Sequence, residues 1–63
     1  QALKWPALRR AAADSSPLVR AAALAELQAD LGEKSTLEAV LKALKDDYRS
    51  VRLAAASTMT QCG

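Results

Sequence analysis

Residues 14–23 read Asp14-Ser15-Ser16-Pro17-Leu18-Val19-Arg20-Ala21-Ala22-Ala23, and residues 46–55 read Asp46-Asp47-Tyr48-Arg49-Ser50-Val51-Arg52-Leu53-Ala54-Ala55. A shift of 46 − 14 = 32 positions superposes Asp14 on Asp46, Val19 on Val51, Arg20 on Arg52, and Ala22 and Ala23 on Ala54 and Ala55. Alanine matches are cheap in a chain that is about a quarter alanine, so the weight falls on Asp, Val and Arg recurring at one common offset. The same offset aligns the caps and turns on either side. A helix-turn-helix unit repeated at this interval is the sequence mark of an α-solenoid, in which each unit buries its apolar face only against its neighbours.

The local signals agree with helix throughout. Alanine, leucine, glutamate, lysine and arginine dominate, while aromatic residues are only 3% of the chain and β-branched ones are sparse. Pro6 and Pro17 suit first-turn positions, where a missing N–H costs little, and Ser16 is a natural N-cap ahead of Pro17. Ser35 and Glu38 form the pattern of a capping box opening the third helix. Gly32 and Gly63 suit positions just past a helix end, where a left-handed conformation is wanted. The pattern predicts helices near 4–13, 17–30, 36–45 and 49–62, with turns at Asp14–Ser16, Gly32–Lys34 and Asp46–Tyr48. The expected fold is all-α: two antiparallel helix hairpins stacked as an α-α superhelix, repeat 1 over about residues 1–32 and repeat 2 over about 33–63, as one domain or a fragment of a longer solenoid.

On the third helix Leu37, Val40, Leu41 and Leu44 recur at helical spacing as one apolar stripe, and on the fourth Val51, Ala55, Met59 and Cys62 make another. Small Ala54 and Ala55 allow close helix approach. The first helix offers Trp5, Leu8 and Ala12 inward, but carries Arg9 where the third has Leu41.

The second copy, Asp46-Asp47-Tyr48-Arg49-Ser50-Val51-Arg52-Leu53-Ala54-Ala55-Ala56 running on to Met59 and Cys62-Gly63, resembles the short HEAT-like repeats, including those named after phycobilisome lyases. The resemblance covers nearly all of the chain. It implies that Val19 and Val51 are core, that Leu27 and Met59 fill a large apolar position, and that Cys62 takes an aliphatic slot. The first copy departs from the pattern at Glu26, where a small residue is usual, and at Gly32, which arrives one residue late. The resemblance also implies a ladder across adjacent repeats, built from the turn Asp and the Arg six residues on. Its rungs here are Asp14, Arg20, Asp46 and Arg52, joined as Arg20 with Asp46 or Asp14 with Arg52. Arg suits the role because its fork of donors holds a carboxylate and turn carbonyls together.

Sixty-three residues make one small domain, and at this size only roughly 60% of the unfolded chain's surface is buried on folding. A second source of stability is expected. Cys62 is the sole cysteine and there is no histidine, so neither a disulfide nor a conventional metal site supplies it. That leaves neighbouring chain or a partner surface, and with Gln1 leading and Gly63 closing an apolar helical run the expectation is a piece of a longer solenoid. No apolar run approaches the roughly 20 residues of a membrane span. The net charge of +2 arises from nine basic and seven acidic residues that are interspersed, giving no strong field for nucleic acid or anionic lipid.

No residue set reads as catalytic. Asp14, Asp46 and Asp47 stand before helix N-termini, where the backbone N–H groups and the helix dipole favour acids. Ser15 and Ser16 have no histidine to activate them. Cys62 and Trp5 fall on apolar stripes, Arg9-Arg10 reads as a solvated face, and the two glycines are too far apart for a phosphate loop. The expected function is a non-catalytic protein-interaction or scaffold module that presents Ala21, Ala25 and Gln28 of the second helix with Leu53, Ser57, Thr60 and Gln61 of the fourth. The partners expected are another protein and flanking repeats of the same chain, with self-association through open ends a further route; no cofactor and no membrane are expected. The alternative, a nucleic-acid-binding or enzyme-accessory HEAT-like domain of the lyase-subunit or DNA-glycosylase kind, needs Arg10, Arg20, Lys42, Lys45, Arg49 and Arg52 to converge on one face.

Overall fold

Ser16 and Pro17 start the helix on which the rest of the chain is packed. Ser16 is extended (φ −83°, ψ 123°), its Oγ accepts the Val19 N–H at 3.4 Å, and Pro17 occupies the first turn of α2 (Pro17–Leu27). In the computed structural model, which describes residues 3–60, α2 is preceded by α1 (Lys4–Ala11) and followed by α3 (Lys34–Ala43) and α4 (Arg49–Thr60). The fold is all-α. α1 lies against α2 and α3 against α4, while α2 and α4 share the largest contact between the two hairpins.

The core sits along that contact. Leu24 and Leu27 of α2, Val40 and Ala43 of α3, and Val51 and Ala55 of α4 form one buried cluster, with Trp5, Leu8, Ala12, Leu31, Ala54 and Met59 packed around it. Ala55 of α4 belongs to this cluster, and Ala21 of α2 and Ala54 of α4 pack against it. Among the described residues two polar side chains are buried, Thr36 and Thr58, and both are satisfied: Thr58 Oγ1 donates to the Leu24 carbonyl at 2.9 Å, and Thr36 Oγ1 to Asp30 Oδ2 at 2.6 Å.

Several expectations are corrected. The capping box does not form: α3 begins two residues early at Lys34, with extended Glu33 as its N-cap and the Glu33 carbonyl accepting the Leu37 N–H at 2.9 Å, so Ser35 and Glu38 lie inside the helix. Gly32 is not left-handed. The end of α2 tightens instead into a 3-10 turn over Gln28–Asp30, with Leu31 still right-handed at φ −67°, and this geometry asks for no positive φ. α1 ends at Ala11 rather than at 13, because Ala13 and Asp14 turn back onto the Arg10 and Ala11 carbonyls. The expected continuation of α4 to 62, with Cys62 and Gly63, lies outside the described residues.

The apolar stripe on α3 divides. Val40 is buried and Leu37 half-buried, but Leu41 is 44% and Leu44 36% exposed. Val19, expected in the core, is 39% exposed, whereas its repeat counterpart Val51 is fully buried. The reason is position in the stack: Val51 faces the first hairpin, Val19 faces away from the second, and Leu41 and Leu44 lie on the far side of the second.

Leu24→Ala should destabilise the chain by about 2–5 kcal/mol in denaturant unfolding, since it opens a cavity where both hairpins meet. Gly32→Ala, with open space around the added methyl and no left-handed backbone, should be neutral or stabilise by about 0.4–1 kcal/mol. A loss of more than that on Gly32→Ala would contradict the turn geometry.

Candidate functional site

The two acidic turns carry the most organised polar geometry of the protein. Asp14 Oδ1 accepts the Ser16 N–H at 2.8 Å and Asp46 Oδ1 accepts the Tyr48 N–H at 2.9 Å, so each aspartate fixes the turn that launches the following helix. Six residues on, each arginine folds back on the same turn. Arg20 Nη1 donates to the carbonyls of Asp14 (2.7 Å) and Ser15 (3.1 Å); Arg52 Nη1 donates to those of Asp46 (2.7 Å) and Asp47 (3.1 Å).

Arg20 does more. Its Nε donates to Asp46 Oδ2 at 2.8 Å and its Nη2 to Asp46 Oδ1 at 3.0 Å, a two-pronged bond between repeats, with the Tyr48 ring 5.5 Å from the guanidinium. Hydrogen bonding from Arg20, then that from the Tyr48 N–H, and the charges of Arg20 and Arg52 hold the Asp46 carboxyl below the ordinary aspartate range, against a smaller opposing effect of burial. Asp14 and Arg52 are not paired with each other: among the described residues Asp14 Oδ2 and the Nε and Nη2 of Arg52 have no partner.

A second junction was not foreseen. Arg9 Nη1 donates to Thr36 Oγ1 at 3.1 Å and approaches Asp30 Oδ2 at 3.4 Å, while Thr36 also bonds Asp30. Arg9 therefore joins α1, the end of α2 and α3, rather than lying on a solvated face. Its only sequence signal was its place in register with Leu41, a position turned toward the next hairpin.

Of the surface residues, Ala25, Leu53, Ser57 and Thr60 are exposed, Leu53 at 57%, and Ala21 and Gln28 are half-buried, Ala21 against the core; Gln61 lies outside the described residues. Ala21, Ala25 and Gln28 are separated from Leu53, Ser57 and Thr60 by the same 53 − 21 = 32 residues; Ala21 and Ala25 match Leu53 and Ser57 on two helices in contact, and Gln28, in the 3-10 turn, matches Thr60. Trp5 packs on the core with Lys4 Nζ 4.7 Å from its ring. Of the six basic residues named for nucleic-acid binding, Arg20, Lys42 and Lys45 line one recess of about 480 Å³, together with Arg9, Asp46 and Asp47; Arg10, Arg49 and Arg52 do not. No helix among the described residues is long and apolar enough to cross a membrane.

Two like hairpins, each with an acidic turn between its two helices that its own arginine clamps, define a segment of α-solenoid. The family model for HEAT repeats matches residues 5–63, and the chain belongs to the HEAT repeat family. Members of that family typically mediate protein–protein interaction and scaffolding and are generally non-catalytic. Comparison with curated proteins and with solved structures finds no match.

Arg20→Ala and Arg52→Ala each remove one set of turn bonds, but only the first also removes the bond to Asp46 of the other repeat. The expected order of melting temperatures in dilute solution is wild type and Arg49→Ala highest, Arg52→Ala lower and Arg20→Ala lowest. Equal melting of the two clamp variants would contradict the cross-repeat role. Because the folded state depresses the Asp46 pKa, the stability it contributes is complete above about pH 4 and is lost as pH falls through the depressed value. Asp46→Asn should flatten the acid limb of the melting-temperature profile, and Asp47→Asn should not.

Proposed function

We propose that this chain is a non-catalytic interaction module of a larger HEAT-repeat scaffold, and that it presents the paired outer positions of α2 and α4 to a protein partner. The observation that carries this reading is Leu53: a large apolar side chain 57% exposed on a helix whose opposite side is fully buried, flanked by Ser57, which is in register with exposed Ala25 of the neighbouring helix, and by Thr60. Small and mildly polar residues around one exposed apolar anchor suit a protein surface, where a few buried contacts carry most of the energy. Solenoids build such surfaces from equivalent positions of successive helices, so each repeat adds a modest increment.

The basic recess at the turns favours nucleic acid less. Arg9 and Arg20 are already engaged with Asp30 and Asp46, and Asp46 and Asp47 line the same walls as Lys42 and Lys45.

Peptides selected against the immobilised chain should lose binding to the Ala25→Arg/Leu53→Arg variant and keep it for Glu38→Arg, an exposed change on α3. Selected binders indifferent to Ala25 and Leu53 would refute this surface. Duplex DNA binding that falls steeply with salt would transfer the function to the alternative.

A further inference from the structure

The recess of about 480 Å³ lies on the turn side of the junction, and both hairpins wall it: the end of α1 on one side, the end of α3 and the Asp46–Asp47 turn on the other. Its walls belong to the internal junction and not to the outer faces. The volume falls within the roughly 300–1,000 Å³ of small-ligand pockets. Ala12, Ala13, Ala39 and Ala43 line it with methyl groups, and side chains this short leave the space between the two helix ends.

The charged groups around it are not equally occupied. Arg20 and Asp46 close on each other: Nε and Nη2 of Arg20 hold the two Asp46 oxygens, and Nη1 is spent on the turn carbonyls. Arg9 is different. It uses Nη1 alone, toward Thr36 and Asp30, and its Nε and Nη2 are unengaged among the described residues. Lys42 and Lys45 are exposed, and their ammonium groups have no partner among the described residues. With Arg20 set against Asp46 and Arg9 against Asp30, two lysines face the single carboxylate of Asp47, a surplus of one positive charge. This combination is a property of the junction and not of the repeat. At the 32-residue offset Arg9 matches Leu41 and Lys45 matches Ala13.

We infer that the recess takes the carboxylate of a ligand with a short apolar body, either a free acid or the C-terminal end of a peptide. The Nε–Nη2 edge of a guanidinium is a two-donor fork that matches the two oxygens of a carboxylate. The protein itself shows the fit at Arg20, where those two atoms hold Asp46 at 2.8 and 3.0 Å. Arg9 carries the same edge unused, Lys42 and Lys45 supply charge that offsets the loss of water, and the alanine methyls take the apolar body. A surplus of one charge suits one carboxylate. It does not suit a run of phosphates, which Asp47 would repel. The site lies apart from the α2–α4 surface and does not depend on it.

Titration of the full chain, followed by its backbone amide resonances, tests this with four probes: butanoate, inorganic phosphate, and the peptide acetyl-Gly-Ala-Ala as its free acid and as its C-terminal amide. Resonances of Ala13, Ala39 and Lys45 should move saturably with butanoate and with the free-acid peptide, while the amide peptide and phosphate should bind at least about tenfold more weakly. Tighter binding of the free-acid peptide than of butanoate assigns the site to a chain end; equal or weaker binding assigns it to a free acid. Lys42→Gln and Lys45→Gln should leave the melting temperature unchanged and each weaken butanoate about two- to fivefold. Arg10→Gln, which removes the same charge from α1 outside the recess, should not weaken it. Arg9→Lys keeps the charge, loses the two-donor edge, and should weaken butanoate more than phosphate. No saturable shift, equal binding of the free-acid and amide peptides, phosphate bound as tightly as butanoate, or equal losses from Arg10→Gln and Lys42→Gln overturns the inference.

Discussion

The Arg20 guanidinium satisfies four acceptors at once: the Asp14 and Ser15 carbonyls of its own turn and both carboxylate oxygens of Asp46 in the next repeat. A lysine could not do this, because it lacks a planar fork with donors on two edges. The bond fixes more than distance. A bidentate pair constrains the angle of the second turn relative to the first, and the second turn launches α4. The apolar contact of Leu24 and Leu27 with Val51 and Ala55 is not directional, and the polar bond adds a directional constraint on how the two helices meet.

Around that junction, residues at equivalent repeat positions have different fates because of where they stand in the stack. Val51 is buried and Val19 is exposed; Ala12 meets the core and Leu44, in register with it, does not. Burial in a solenoid belongs to the junction rather than to the repeat. The same holds for polar contacts: Arg9 bonds across to Thr36, whereas Leu41, its counterpart, is an apolar group facing outward.

The 32-residue offset of Asp, Val and Arg was enough to read the all-α fold, the two hairpins and the turns at Asp14 and Asp46 directly from the sequence. Ser16 and Pro17 marked the start of α2 correctly because an N-cap is a local device, settled within three residues. What escaped was decided at longer range. Helix α3 starts early, abandoning the Ser35–Glu38 capping box, and Thr36 in its first turn meets Asp30 across the preceding turn and Arg9, a group distant in sequence. Thr58 looked like an ordinary polar residue near a helix end, and nothing in its neighbours announced the Leu24 carbonyl it meets. Periodicity placed Leu41 and Leu44 on an apolar stripe but could not say whether a neighbour covers that stripe. The surface formed by Ala25, Leu53, Ser57 and Thr60 rests on register alone, and register names a face without naming what binds it.

The Arg20–Asp46 bond is the two-pronged charged link between repeats, beside the bonds of Arg9 to Thr36 and of Thr58 to the Leu24 carbonyl, and a double-mutant cycle on unfolding free energy tests it most directly. Arg20→Ala, Asp46→Ala and the double variant are compared in dilute solution with the corresponding cycle at Arg52 and Asp14. A clear favourable coupling is predicted for the first pair and none for the second, although both pairs have the same residue types. No coupling between Arg20 and Asp46, or equal coupling in both cycles, would contradict that role.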